Sequence, residues 1–293
     1  MNAQIIFSIA FFLQVVVISI VMPRKISATM SHVMQAYPPT THPRLYPRKL
    51  AYYESKQMTF RWLSASIALI GFAVLIGMQF YQSTWDFDDF GDAIAFTFFM
   101  LQAVPFFWLD LSLKNELKIM RALNTSSTRT ADLNPRGLFD IISPALLGAV
   151  VLTYLGLWAF VAWFDQFGYE WFGGYANVAI ATGINLFFIA IVFWRARGRK
   201  ENPHERHEDR IRRVRRTAKM LAMMSIALTV YLVITVSLTA SELRDLQPAV
   251  KSIYFLLIAA LTVNEYRIDS TDFDVYRDAN TSNVSTSGVV TSY

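Results

Sequence analysis

The chain has 293 residues, 54% hydrophobic, 15% aromatic and 17% charged, with a net charge of +5 and no cysteine. An average soluble domain is about 25% charged and disperses its apolar residues; here they are gathered into long runs, which excludes an ordinary soluble fold. The lack of cysteine excludes disulfides, thiol catalysis and cysteine-ligated metal.

Each apolar run is close to the roughly 20 residues of helix that cross a bilayer core of about 30 Å. Backbone polar groups find no partner in lipid, so each run must be helical, and none alternates as a barrel strand would. The expected fold class is all-α, a polytopic transmembrane bundle of seven spans.

The first span covers residues 3–22 and is preceded by no Lys or Arg, while Pro23-Arg24-Lys25 follows it directly. Lys and Arg resist translocation, so the N-terminus is expected outside. The remaining spans are expected at 62–81, 93–111, 141–164, 176–194, 220–239 and 246–263. Charge in the intervening loops alternates. Residues 23–61 carry a net +6, residues 113–137 a net +3, and residues 195–219 a net +7 with eleven basic side chains. The other loops are acidic: Asp86, Asp88, Asp89 and Asp92 in one, Asp165 and Glu170 in the next. Basic loops face the cytoplasm under this rule, which suits a bacterial inner membrane and puts the C-terminus inside.

The seventh run is interrupted by Lys251, whose stem is expected to snorkel to the outer interface; six spans plus a re-entrant segment is the alternative. Residues 264–293 form an acidic, polar tail without periodicity, expected to be disordered. Aromatics crowd the outer boundaries, as in Trp163, Phe164, Phe167, Tyr169, Trp171 and Phe172, and fit an interfacial belt. Tyr37-Pro38-Pro39, His42-Pro43 and Tyr46-Pro47 read as an extended, polyproline-like connector.

Candidate sites are few. Asp110, with Lys114 at i+4, and Asp140, at the expected start of the fourth span, lie near the inner surface and read as interfacial carboxylates. Gln102, Pro105 and Asn185 lie deeper; Pro105 would free a carbonyl beside Gln102, so a cavity is expected there. His204 and His207, at i and i+3, would share a helical face if Asn202-Pro203 opened the helix, a spacing that metal sites use but without further ligands. Arg210, Arg212, Arg213, Arg215 and Arg216 precede the sixth span; such clusters attract anionic headgroups at about 1 kcal/mol per side chain.

No phosphate-binding loop, zinc-protease, hydrolase or dinucleotide motif is present. No cofactor and no nucleic acid is therefore expected. Seven spans with an outer N-terminus are similar to the microbial rhodopsins in topology alone, since their retinal-linking lysine sits midway along the seventh helix and Lys251 lies at its outer end. The leading expectation is a non-enzymatic accessory or interaction subunit, whose partners are anionic headgroups and another membrane or cytoplasmic protein. A small-solute transporter or channel is the alternative, and a lipid-modifying enzyme the third.

Overall fold

The computed structural model of the protein describes residues 3–80, 87–123, 138–198, 202–263 and 272–277. It holds seven helices long and apolar enough to cross a membrane, and no strand among the described residues. They are α1 (Ala3–Ala36), α2 (Leu50–Phe80), α3 (Phe87–Leu123), α4 (Pro144–Phe164), α5 (Ala176–Arg197), α6 (His207–Ala240) and α7 (Gln247–Val263). The seventh run is thus a helix in its own right, entered through a short 3-10 turn at Arg244–Leu246.

Helix α1 does not stop at Pro23. A π-helical stretch at Val17–Val21 widens it first, and the Met22 N–H bonds the Val17 carbonyl five residues back. Pro23, with no N–H to give, then sits at the start of a resumed α-helix that runs to Ala36. Helices α2, α3 and α6 likewise outrun their apolar stretches by about three turns, all at the end where the basic loops lie. The molecule therefore has an acidic, aromatic end of short turns and a basic end built from helix extensions.

Two groups of helices meet at one seam. Helices α1, α2, α3 and α7 surround Phe7, Phe11, Val15, Ile67, Phe98 and Ala249. Helices α4 and α5 both pack on α6, more than on each other, around Leu157, Val161, Phe164, Val178 and Ala181. The α6–α7 contact joins the groups. At the acidic end the chain between α4 and α5 makes two 3-10 turns under a cluster of rings centred on Phe164. Gly168 and Gly173 close those turns with φ of 65° and 68°, where a side chain would be strained.

Several expectations are corrected. Residues 37–47 are not extended: Thr41 and His42 N–H groups both return to the Pro38 carbonyl, and Pro43–Leu45 forms a 3-10 turn. Proline fixes φ but still enters turns, so composition alone misled. Asn202-Pro203 does not open α6; Arg206 is its N-cap, so His204 lies off the helix and shares no face with His207. Asp140 belongs to a separate turn, Leu138–Ile141, and α4 starts instead at Pro144, with Ser143 Oγ accepting from the Leu146 N–H at 3.3 Å. Lys251 has a carboxylate within reach. It pairs with Asp92 at 2.5 Å, which also gives Asp92 the basic partner that its own loop lacks. The tail is packed in part: Phe273 and Tyr276 are buried in a turn at Asp274–Tyr276, while residues 264–271 and 278–293 lie outside the described residues.

Candidate functional site

The deepest polar feature lies between α1 and α3. Gln14 Nε2 donates to Gln102 Oε1 at 3.0 Å, and Gln102 Nε2 donates to the Gln14 carbonyl at 3.2 Å and to Ser19 Oγ at 2.9 Å. The π-helical stretch brings Gln14 and Ser19 toward the same neighbour. Both glutamines are almost fully buried. In an apolar bundle such bonds fix register, each worth about a kcal/mol or less.

Below this knot, toward the basic end, a cavity of about 890 Å³ opens between α1, α3 and α6. That is near the upper end of the ~300–1,000 Å³ usual for ligand pockets. Helix α3 packs on α2 and α7, and α6 on α4, α5 and α7, so the seam between α3 and α6 is left for the cavity. Its walls grade along the membrane normal. Nearest Gln102 they are apolar: Ile18, Met22, Phe99, Ala103, Phe106 and Ala259. Farther down they become charged: Lys114 and Asp110 on α3, and Arg212, Arg213 and Arg216 on α6, with Arg195 from α5. Six of the chain's 11 methionines line it. Unbranched thioether chains make walls that adjust to their contents.

The far end is roofed by the helix extensions and the docked tail segment. Glu116, buried on α3, receives Arg48 at 3.4 Å, Lys56 at 3.5 Å and the Tyr53 hydroxyl at 3.1 Å. Glu205, also buried, pairs with Arg213 at 2.8 Å. Arg206 reaches Asp272 at 2.6 Å, and Tyr37 stacks on Phe273 with ring centres 4.2 Å apart. Asn202 Nδ2 donates to the Tyr276 hydroxyl, whose pKa burial pushes up, so it stays a neutral hydroxyl.

The predicted site residues are sorted by this geometry. Gln102, Asp110, Arg212, Arg213 and Arg216 come together around the cavity. Asp110 holds Lys114 at 2.7 Å, the expected pair one turn apart. Pro105 is fully buried within a continuous α3. Asn185 is elsewhere: its Oδ1 accepts from Ser225 Oγ at 2.5 Å between α5 and α6, so it shares no cavity with Gln102. Arg210 caps α5 by donating to the Ala196 carbonyl at 3.2 Å and to the Gly198 carbonyl. Arg215 donates to the Asp140 carbonyl at 2.9 Å, which ties that residue to α6 rather than to the cavity. The arginine run is thus two structural ties and three cavity residues, not one uniform surface. Glu116, Glu205 and Tyr276 were missed in the sequence because each meets its partners only through the fold, on a different helix or loop from its own. No cluster of three or more metal-ligating side chains occurs among the described residues.

Fold and cavity together define a multi-pass helical membrane protein with a pocket at its basic end. No protein-family model, curated protein or solved structure matches the chain.

Proposed function

We propose that the chain is a non-enzymatic accessory or interaction subunit of a bacterial inner membrane that works through its basic end, turned to the cytoplasm and to anionic headgroups. One observation carries the reading: the basic end is a built structure. Four helices extend past their apolar stretches there, and buried Glu116 and Glu205 with the Arg206–Asp272 pair hold extensions, loop and tail segment in one arrangement. Topology alone needs scattered positive charge, not an ordered platform.

The transporter reading has less support. A solute path would have to continue past Gln102, where Phe7, Phe11, Ala95 and Phe98 fill the bundle. A lipid-modifying enzyme that used Asp110 or Asp140 at the headgroup level has less support as well, since Asp110 is paired with Lys114 at 2.7 Å and Asp140 lies in a separate turn tied to α6 through its backbone carbonyl. The test is native co-purification in mild detergent, comparing wild type with Arg212→Gln/Arg216→Gln. Partners should be lost while the folded chain persists. An unchanged partner profile would remove the main support for the reading.

A further inference from the structure

We propose that the lipid-facing crevice between α1 and α2 binds one phospholipid of net negative charge, its phosphate held between Arg24 and Arg61. This deepens the headgroup reading above and rests on it for the leaflet that supplies the lipid.

The register of the two helices brings these arginines together. Gln79 donates to Ser8 Oγ at 3.3 Å, Phe12 lies against Phe72, and Gln57 donates to Ser27 Oγ at 2.8 Å and to Ser31 Oγ at 2.6 Å. The helices are therefore antiparallel, and Arg24 falls level with Arg61 and Trp62. Arg24 stands one turn before Ser27, and Arg61 one turn after Gln57, so each lies on the face that its helix turns to the other. The side of the crevice toward α3 is shut, because Ile26 and Phe60, both buried, pack on Leu109. Arg24 and Arg61 are exposed, which places them on the opposite side, where the bundle meets lipid.

Their charge is unmatched. Among the described residues, neither guanidinium has an ion pair or hydrogen bond, nor does the exposed Lys25 beside Arg24. Other cations at this end are answered: Arg48 and Lys56 by Glu116, Arg206 by Asp272, Arg213 by Glu205. The cavity wall is balanced too, its five cations facing five carboxylates. Along α2 the carboxylate nearest Arg61 is Glu54, two turns farther from the apolar stretch. Two guanidinium groups across a crevice offer several N–H donors to the oxygens of one phosphate. A zwitterionic headgroup would bring a further cation to a place that already has three.

Depth agrees with charge. Arg24 lies two residues past the apolar run of α1, and Arg61 one residue before that of α2, which is the level of headgroups. Trp62, 66% exposed, stands there with a ring suited to the interface. Toward the membrane interior both helices expose apolar side chains, Leu13 and Val21 on α1 and Leu69 on α2, against which acyl chains can lie.

The experiment places the full chain in phosphatidylcholine vesicles with a small fraction of phosphatidylglycerol that carries a photoreactive group high on one acyl chain. Crosslinks are mapped by mass spectrometry and repeated with phosphatidylcholine that carries the same group. In wild type the phosphatidylglycerol label should exceed the phosphatidylcholine label at Val21 and Trp62, and match it at the exposed Leu152 and Ile189 of α4 and α5. Arg24→Gln/Arg61→Gln should lower that excess about 30-fold, two side chains at roughly 1 kcal/mol each. Arg24→Lys/Arg61→Lys should keep part of it, since the charge remains and the planar fork is lost. Lys118→Gln/Lys219→Gln removes the same charge from exposed positions on α3 and α6 and should leave the excess unchanged. All the replaced side chains are exposed, so each variant keeps the packed core. An excess spread over every lipid-facing helix would overturn the proposal. So would an equal fall in the Lys118/Lys219 variant, because attraction would then follow net charge alone. Failure in either form leaves the partner-docking reading intact, because co-purification tests that reading through Arg212 and Arg216.

Discussion

At the scale of single residues, the most instructive contrast is between polar side chains that sequence position makes look alike. Gln102 and Asn185 both sit deep in apolar helices, yet one lines a cavity and the other ties α5 to Ser225. Which neighbour a helical side chain meets depends on packing between helices, and no local pattern encodes that. The Asp110–Lys114 pair, by contrast, needs only the pitch of one helix and was legible. Replacing Gln102 by Leu would strand the buried Gln14 and Ser19 groups. Thermal unfolding in detergent should show a loss of about 1–3 kcal/mol, the cost of an unsatisfied buried polar group. A variant as stable as wild type would mean that the knot contributes nothing. Lys251→Met should also destabilise, by leaving Asp92 without its cation, and Asp92→Asn should restore much of the loss in the double variant.

At the scale of elements, two close fits set the bundle. A methyl on Gly71 of α2 would lie 2.5 Å from Phe98 Cζ and 2.7 Å from Val15 Cγ2. Gly71→Ala should therefore cost about 1–3 kcal/mol through overpacking, whereas Gly77→Ala, which meets nothing within 4 Å, should be neutral. Equal melting temperatures for the two would show that α1, α2 and α3 can spread apart.

The tail element at Asp274–Tyr276 gives a pH dependence. His42 and His204 flank it, and both are held below their ordinary pKa of 6.5: His42 by burial, then by Arg277 against the opposing pull of Asp274, and His204 by burial, then by Arg44. A base with a depressed pKa binds fewer protons docked than undocked, so docking is fully stable above about 6.5 and weakens as pH falls below it. Hydrogen exchange across residues 272–277 should be faster at about pH 5.5 than at about pH 7.5. Slower exchange in acid would contradict the assignment. Nothing in the composition of the tail announced this docking, because the ring that Phe273 stacks against, Tyr37, is more than two hundred residues away.

At the scale of the whole molecule, span number and helical class were legible because bilayer thickness sets run length and lipid forbids open backbone. Helix ends were not. The apolar pattern marks where lipid stops, while the extensions of α2 and α3 are joined by Lys56 and Glu116, that of α1 is held by Gln57 of α2 donating to Ser27 and Ser31, and that of α6 pairs Arg213 with Glu205 of the preceding loop. Part of the site was legible too: three of the five flagged arginines line the cavity, while Glu116 was hidden by its distance along the chain from Arg48 and Lys56. Orientation carries its own prediction. Reporter fusions near Tyr46, Asn124 and Arg206 should be cytoplasmic, and those near Asp88, Phe167 and Arg244 external. A cytoplasmic signal at Asp88 would invert the molecule and move the cavity to the opposite leaflet.

Helix α7 follows the other six spans in the chain, yet it packs on α1, α3 and α6. Ala249 completes the core around Phe7 and Phe11, and Phe255 lies flat on Phe99 at 4.2 Å. During synthesis the first three helices must therefore wait in the bilayer with an open flank until α7 arrives. Insertion and folding are separate events here, divided by the time needed to make the intervening 120 or so residues at about 5–20 per second. A ribosome stalled before Gln247 would leave six helices in the membrane, but α1, α2 and α3 would lack the wedge that joins them to α6, and membrane proteases would meet a chain that is inserted and still unfinished.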